Sequence, residues 1–245
     1  MAFKGKRVII TGAGRGLGAA LAVVLAEQGA EVMLTGRSRE NLTSLAESIR
    51  LRSGTRPEVH LLDMADPSAV TLFAKALRDE GRPLDILVNN AAQWLPGRMT
   101  EHDALAISQT IAANVTGTML LTRGLVPLLE KSGAGDIMTI VSISGLPNAP
   151  LQSASVAYAA SKQAQAAISD GLRQELKGRP VRVQAVYPPY IEDLSPLDPA
   201  WNTPRDATSP VTNRDIVETV LFALSRPRHV TLGTIIFDPD TGGIH

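Results

Sequence analysis

Residues 7–28 read RVIITGAGRGLGAALAVVLAEQ, and this stretch decides the fold. It begins with the apolar run Arg7–Thr11, which is typical of a strand covered on both faces. A glycine-rich turn follows at Gly12–Gly18, and the apolar spacing of Leu17–Gln28 predicts a helix. A strand, a glycine-rich turn and a helix in this order predict the first unit of an α/β fold with a parallel sheet.

The same alternation of strand and helix continues along the chain. The predicted strands are Arg7–Thr11, Glu31–Thr35, Glu58–Leu62, Asp85–Asn89, Ile137–Ser142, Val181–Val186 and Thr234–Asp238. The predicted helices are Leu17–Gln28, Arg39–Arg52, Pro67–Glu80, Glu101–Leu129, Val156–Lys177 and Asn213–Ser225. We therefore expect a Rossmann-type, doubly wound parallel sheet of about seven strands in one domain, residues 1–245, with helices on both faces. The proline-rich stretch 188–212 is expected to be a loop that covers a binding site.

Composition excludes several classes of function. The 245 residues carry 24 basic and 24 acidic side chains, so no charge excess favours binding to nucleic acid or to an anionic membrane. The chain has no cysteine, which excludes disulfides and thiol nucleophiles and is typical of a cytoplasmic protein. No apolar run approaches the length of a membrane helix. His60, His102, His229 and His245 lack ligand spacing, so no metal site is expected.

The glycine-rich turn predicts a dinucleotide site. Glycines let the backbone approach a pyrophosphate, and the following helix offers free N–H groups and a favourable dipole. Glycines can also serve an ordinary turn, but here they stand between a strand and a helix, as the motif requires. The residues expected at the cofactor in this turn are Gly12, Gly14, Arg15, Gly16, Leu17 and Gly18.

The end of the second strand indicates which cofactor is bound. Proteins that bind NAD usually offer an acidic residue there to the ribose 2′-hydroxyl. This chain has Arg37 instead, and its guanidinium can pair with a 2′-phosphate, as could Arg15 in the turn. Both arginines could also be ordinary surface residues. The absent acid favours NADP(H) over NAD(H).

Tyr158 and Lys162 are the candidate proton-transfer pair. They are four residues apart in a predicted helix, so they share one helix face. A nearby ammonium lowers the pKa of a phenol, which then exchanges a proton with a carbonyl or alcohol oxygen. The same spacing also occurs in exposed helix pairs, so the pair alone does not identify a site.

Taken together, these motifs resemble the short-chain dehydrogenase/reductase family, in its NADP-preferring branch, over essentially the whole chain. TGAGRGLG at 11–18 is similar to the family's TGxxxGxG, and NNAA at 89–92 to its NNAG segment. The resemblance implies that Asp63, with Met64 beside it, contacts the adenine and that Asn90 and Ala91 line the cofactor. It also implies that Asn114, a serine, Tyr158 and Lys162 form the catalytic group.

The catalytic serine has two candidates. Aligning residues 135–145 with the family's GSIVNISSAAG needs no gap and selects Ser142, with a surplus of residues within Leu146–Val156. Ser144 is the alternative, because residues two apart in a strand point to the same face. Both are candidate substrate contacts.

The resemblance also implies a reaction. NADPH would reduce a small carbonyl compound to its alcohol, or the reverse, with Tyr158 exchanging the proton. Ser142 would hold the substrate oxygen, Lys162 would lower the Tyr158 pKa and contact the nicotinamide ribose, and Asn114 would hold a water that links Lys162 to solvent. A non-catalytic NADP-binding protein of the same fold is the alternative.

The segment after the sixth strand departs from the family pattern. Pro188 is followed by Pro189 where the family has glycine, and Asp193 stands where a threonine often contacts phosphate. Pro188 and the Ile191 backbone are still expected at the cofactor, with the Asp193 side chain pointing away from it.

Trp94 and Trp201 are candidate substrate contacts, although packing is as good an interpretation for Trp94. The small residues on the helices that carry Asn114 and Tyr158 imply a homodimer or homotetramer, by the same resemblance.

Overall fold

The computed structural model describes residues 2–238, where seven strands form one parallel sheet. The strands are β1 (Arg7–Ile10), β2 (Glu31–Gly36), β3 (Glu58–Leu61), β4 (Ile86–Asn89), β5 (Gly135–Ile140), β6 (Val181–Tyr187) and β7 (Thr234–Ile236). Their order across the sheet is β3-β2-β1-β4-β5-β6-β7. The predicted doubly wound fold is confirmed. His245 lies outside the described residues.

Seven α-helices connect these strands within the described part of the chain. They are α1 (Gly16–Glu27), α2 (Arg39–Ser53), α3 (Pro67–Glu80), α4 (Ala104–Ile111), α5 (Thr118–Lys131), α6 (Val156–Glu175) and α7 (Asn213–Leu224). Local sequence sets several of their ends. Asp66 accepts hydrogen bonds from the backbone at the start of α3, and Pro67 occupies its first turn. Gly54 and Gly81 end α2 and α3 in the left-handed conformation that glycine favours.

The predicted helix Glu101–Leu129 differs from the observed structure. The helix begins only at Ala104, because the Asp103 side chain caps it through the backbone N–H of Ala106. A π-helical turn, Ala112–Gly117, then separates α4 from α5. Turns of this kind are frequent at functional sites.

Ala104–Lys131, which spans α4 and α5, is long and apolar enough to cross a membrane by length and composition alone. This differs from the expectation that no such stretch exists. Leu121 and Leu125 of this segment are buried in the protein's own core, so one face of the helix packs inside the protein.

The two faces of the sheet bury separate apolar clusters. Val8 and Ile10 of β1 belong to the cluster formed with α1, α2 and α7. Ile9, which points to the opposite face, belongs to the cluster formed with α3 and α5. This alternation is the two-residue period of a strand covered on both sides, as its sequence predicts.

The strand order reverses next to β1. From β1 the chain runs outward through β2 and β3 on one side, and through β4 to β7 on the other. In open parallel sheets, such a reversal leaves a crevice at the carboxyl ends of the strands, where ligands bind. The candidate site lies there.

Candidate active site

A groove with a volume of about 740 Å³ lies at the carboxyl ends of β1, β2 and β4. Most of the predicted cofactor residues line it. They are Gly12, Gly14, Arg15, Gly16, Leu17, Gly18, Arg37, Asp63, Met64, Asn90 and Ala91. Pro188 and Ile191 are not among its lining residues. The Pro188 carbonyl accepts a hydrogen bond from the Ile143 N–H, and Ile191 packs against the core, so their cofactor roles stay predictions.

The glycine-rich turn is packed so closely that Gly12 and Gly18 leave no room for a side chain. Gly12 has a φ of +65°, and a Cβ atom there would lie 2.8 Å from the Cα of Ala91. A Cβ atom on Gly18 would lie 2.4 Å from the Gly12 carbonyl oxygen. The Asn90 amide donates to the carbonyls of Thr11 and Gly12, at 2.9 and 3.2 Å, and so fixes the turn to the end of β4. The exposed backbone of this turn fits the pyrophosphate of a dinucleotide.

The outer end of the groove is basic. Arg37 follows the end of β2 and Arg15 precedes α1; both are exposed and line the groove. Neither guanidinium pairs with a carboxylate among residues 2–238, so both are available to an anion. Two guanidinium groups at one end of the groove fit a phosphate monoester.

Ser142, Tyr158 and Lys162 lie together at the end of β5 and the start of α6. The Ser142 hydroxyl lies close enough to the Tyr158 phenol to act on its pKa, and Lys162 Nζ lies 5.7 Å from the centre of the tyrosine ring. Ser144 contributes its backbone N–H, which donates to Ser142 Oγ at 3.1 Å. Because β5 ends at Ile140, these serines stand in a short 3₁₀ turn and do not share a strand face. The geometry therefore favours Ser142 over Ser144.

The ionisation of this group differs from the expectation. Burial raises the pKa of the Tyr158 phenol to about 12, although the hydrogen bond from Ser142 acts to lower it. Burial also lowers the pKa of Lys162 to about 7, because the ammonium is taken out of water. The expected lowering of the tyrosine pKa by Lys162 is therefore not seen in the protein alone, where burial of the phenol is the largest effect on its pKa.

Asn114 lies in the π-helical turn and is fully buried. Its side chain accepts from the N–H of Gln93 at 2.6 Å and donates to the Gln93 carbonyl and to Ser161 Oγ. Asn114 thus ties α6 to the segment after β4. Since Gln93 lines the groove, this tie connects the cofactor groove with the helix that carries Tyr158.

The surplus residues before α6 pair with the segment that follows Trp94. Gly97 N–H donates to the Ser153 carbonyl and Ser155 N–H to the Leu95 carbonyl, both at 2.9 Å. This pairing holds the half-exposed Trp94 edge-on against the Tyr158 ring, with 4.5 Å between ring centres. Trp94 therefore lies between the catalytic group and solvent.

Residues 6–205 match the family model described as short chain dehydrogenase. The chain is also 32% identical over 234 residues to an uncharacterized oxidoreductase of Staphylococcus saprophyticus, with 96% of this chain and 97% of that protein covered. The chain belongs to the short-chain dehydrogenase family.

Solved structures of this family superpose on nearly the whole chain. A short chain dehydrogenase of Escherichia coli CFT073, complexed with NADPH, has a TM-score of 0.81 and 28% identity, with 96% of this chain and 97% of that chain covered. An alcohol dehydrogenase of Thermococcus sibiricus, complexed with 5-hydroxy-NADP, has a TM-score of 0.83 at 22% identity, with 99% and 100% covered. The second likeness shows the fold alone.

Asp193 is the clearest departure of this short-chain dehydrogenase from the pattern of its family. The sequence predicts that its side chain points away from the cofactor. This prediction is wrong, because the carboxylate lines the groove. Oδ1 lies 3.2 Å from where a Cβ atom on Gly16 would stand and accepts from Asn213 Nδ2 at 3.1 Å. The start of α1 has no side-chain cap and no acidic residue in its first turn, so its free N–H groups favour a nearby carboxylate.

The loop 188–212 is held in this position at its base. Glu192 N–H donates to the Val211 carbonyl at 2.9 Å, and Asn213 N–H donates to the Glu192 carbonyl at 3.2 Å. Trp201, in a 3₁₀ turn of the same loop, packs against the core, so its predicted substrate role stays a prediction.

Replacing Asp193 by asparagine should tighten NADPH binding about tenfold, because a carboxylate at the start of α1 repels a pyrophosphate. The amide can still accept the hydrogen bond from Asn213. The affinity is measured by titrating NADPH with each protein and following the NADPH fluorescence. Asp198→Asn is the matched control, since Asp198 carries the same charge in the same loop but does not line the groove. Equal affinities of wild type and Asp193→Asn would contradict the repulsion.

Sequence reasoning missed the residues that hold the site together. Thr11 Oγ1 accepts from the N–H groups of Asn90 and Ala91, at 2.9 and 3.0 Å. Gln165 bonds Lys162, and Ser161 bonds Asn114. The one signal that could have identified Gln165 is its spacing, three residues after Lys162, on the face of α6 that turns inward.

Proposed function

We propose that this short-chain dehydrogenase is an NADPH-dependent oxidoreductase that interconverts a small carbonyl compound and its alcohol. The observation that carries the proposal is the meeting of Ser142, Tyr158 and Lys162 beside the groove. Gln93 lines the groove, and the next residue, Trp94, touches Tyr158, so a ligand that extends past Gln93 reaches the phenol.

The groove supports NADP(H) as the cofactor. The glycine-rich turn would hold the pyrophosphate, Asp63 and Met64 the adenine, and Arg37 with Arg15 a 2′-phosphate. NADP(H)-complexed structures of the same family at 28% identity support this assignment. When bound, the cofactor supplies or accepts the hydride, while the protein orients the substrate and moves the proton.

The ionisation of the site favours reduction near neutral pH. With its pKa at about 12, Tyr158 keeps its proton and can donate it to a carbonyl oxygen held by Ser142. Donation leaves a phenolate, which a charged Lys162 stabilises. Lys162 carries this charge only below its pKa of about 7.

For reduction, kcat/KM should therefore fall as the pH rises through about 7, because Lys162 loses its proton there. The parameter meant is kcat/KM for NADPH, because it reports the cofactor-free enzyme, which is the state described by these pKa values. NADPH oxidation is measured with a panel of ketones, aldehydes, quinones and β-ketoacyl esters, and the pH profile with the best substrate. In Lys162→Arg, which stays charged, any remaining activity should lack this inflection.

The absence of NADPH oxidation with every class of carbonyl would overturn the proposal. It would favour the second candidate, a non-catalytic NADP-binding protein of the same fold. One feature of the sequence favours that candidate: Pro189 stands where the family has glycine, and its fixed φ stiffens the loop beside the site.

We also propose a homodimer or homotetramer in the cytoplasm. Three exposed apolar side chains support a subunit interface on the helices named above: Leu105 of α4, Met119 of α5 and Val156 of α6. Light scattering in solution tests the assembly.

A further inference from the structure

Gln165 is a buried polar side chain with no role in the group described so far. It lies on α6 three residues after Lys162, and only 1% of its surface is exposed. Burying an amide costs free energy unless its carbonyl and its NH₂ group both find partners. The identity of these partners therefore indicates what the residue does.

Both halves of the Gln165 amide are bonded, and each partner belongs to the catalytic region. Lys162 Nζ donates to Gln165 Oε1 at 2.9 Å, and it also donates to the Ile140 carbonyl at 3.0 Å. Gln165 Nε2 donates to the main-chain carbonyl of Asn114 at 2.8 Å. A single amide thus joins Lys162 on α6 to the π-helical turn.

This link uses the main-chain carbonyl of Asn114. The Asn114 side chain is bonded to Gln93 and Ser161, so it leaves the main-chain carbonyl for Gln165. The family resemblance implies a water between Asn114 and Lys162, and here the Gln165 amide joins these two residues directly.

We propose that Gln165 is a positioning residue for Lys162, holding its Nζ between β5 and the π-helical turn. The inference rests on the proposed reductase function, in which Lys162 acts on Tyr158. An amide neither gains nor loses a proton near neutral pH, so the link fixes geometry and does not conduct protons.

Few charged groups surround Lys162, so the neutral Gln165 amide has a large influence on its ionisation. Tyr158, one turn earlier on α6, is the titratable group that faces it. β5 offers the Ile140 carbonyl, while α4 and the 3₁₀ turn Ile143–Gly145 carry no ionisable side chain. Tyr187 of β6 packs against α6, and the charges that act on it belong to Asp170 and Arg173, on later turns of α6.

Two substitutions test the inference through opposite effects. Gln165→Met keeps the volume but removes both hydrogen bonds, which destabilises the charged form of Lys162. Gln165→Glu places a carboxylate beside Nζ and stabilises the charged form. Gln163→Met, two residues earlier on the same helix but exposed, is the matched control.

The Lys162 titration is read by lysine side-chain NMR in the cofactor-free protein, assigned with Lys162→Met, and by the pH profile of reduction. We expect both readouts to move to lower pH by about one unit in Gln165→Met, a tenfold change in the ionisation constant. They should move to higher pH in Gln165→Glu and stay unchanged in Gln163→Met.

A loss of thermal stability in Gln165→Met with both titrations unmoved would show a merely structural residue and overturn the inference. Should Gln165→Met fail to fold, the upward shift in Gln165→Glu still decides. If the wild type oxidises no NADPH, the proposed function fails, but the NMR titration of the cofactor-free protein still tests the Gln165–Lys162 contact.

Discussion

Replacing Tyr158 by phenylalanine should lower the kcat of NADPH-dependent carbonyl reduction by about 10²–10⁴-fold, the usual contribution of a positioned general acid. The substitution removes only the phenol hydroxyl, which lies near Ser142 and would give its proton to the substrate. The ring that packs against Trp94 remains. Ser142 Oγ still accepts from the Ser144 N–H, so the turn before α6 should keep its shape.

NADPH affinity should stay within about twofold of wild type, because Tyr158 does not line the cofactor groove and its loss leaves that groove's phosphate-binding groups in place. Stopped-flow single turnovers give the chemical step, and a fluorescence titration gives the dissociation constant. Tyr190→Phe is the matched control. It makes the same chemical change at a residue that is 84% exposed in the loop 188–212. Near-normal turnover by Tyr158→Phe would falsify the assignment of the proton donor.

The sequence predicted the fold and most of the groove because these depend on local, periodic signals. Apolar strands and capped helices follow rules that involve neighbouring residues, as at Asp66 and Gly81. The glycines of the turn are also readable, because a Cβ atom at Gly12 or Gly18 would collide with backbone.

The parts that could not be predicted depend on contacts between distant segments. Repulsion between a carboxylate and a phosphate predicts that Asp193 avoids the groove. The uncapped start of α1 attracts the same carboxylate in the protein alone. Gln165 gives no signal until the fold places the π-helical turn beside α6. The tyrosine pKa depends on burial, and burial is a property of the whole fold.

Replacing Arg37 by aspartate should shift the ratio of kcat/KM for NADPH over NADH by about 10²–10³-fold towards NADH. One charge-assisted contact to the 2′-phosphate contributes about 1.5–3 kcal/mol, and an acid in its place adds repulsion. The same carboxylate can accept a hydrogen bond from the free 2′-hydroxyl of NADH, so the two cofactors are affected in opposite directions.

Arg39→Asp provides the matched control, since it reverses the same charge two residues later without touching the groove lining. A general loss of positive potential would lower NADPH use equally in both variants, whereas a specific contact would do so only at position 37. The NADPH preference of the wild type should also weaken as salt is raised, because Arg37 is exposed and its attraction is screened. An unchanged cofactor ratio in Arg37→Asp would leave Arg15 as the remaining guanidinium able to recognise the phosphate.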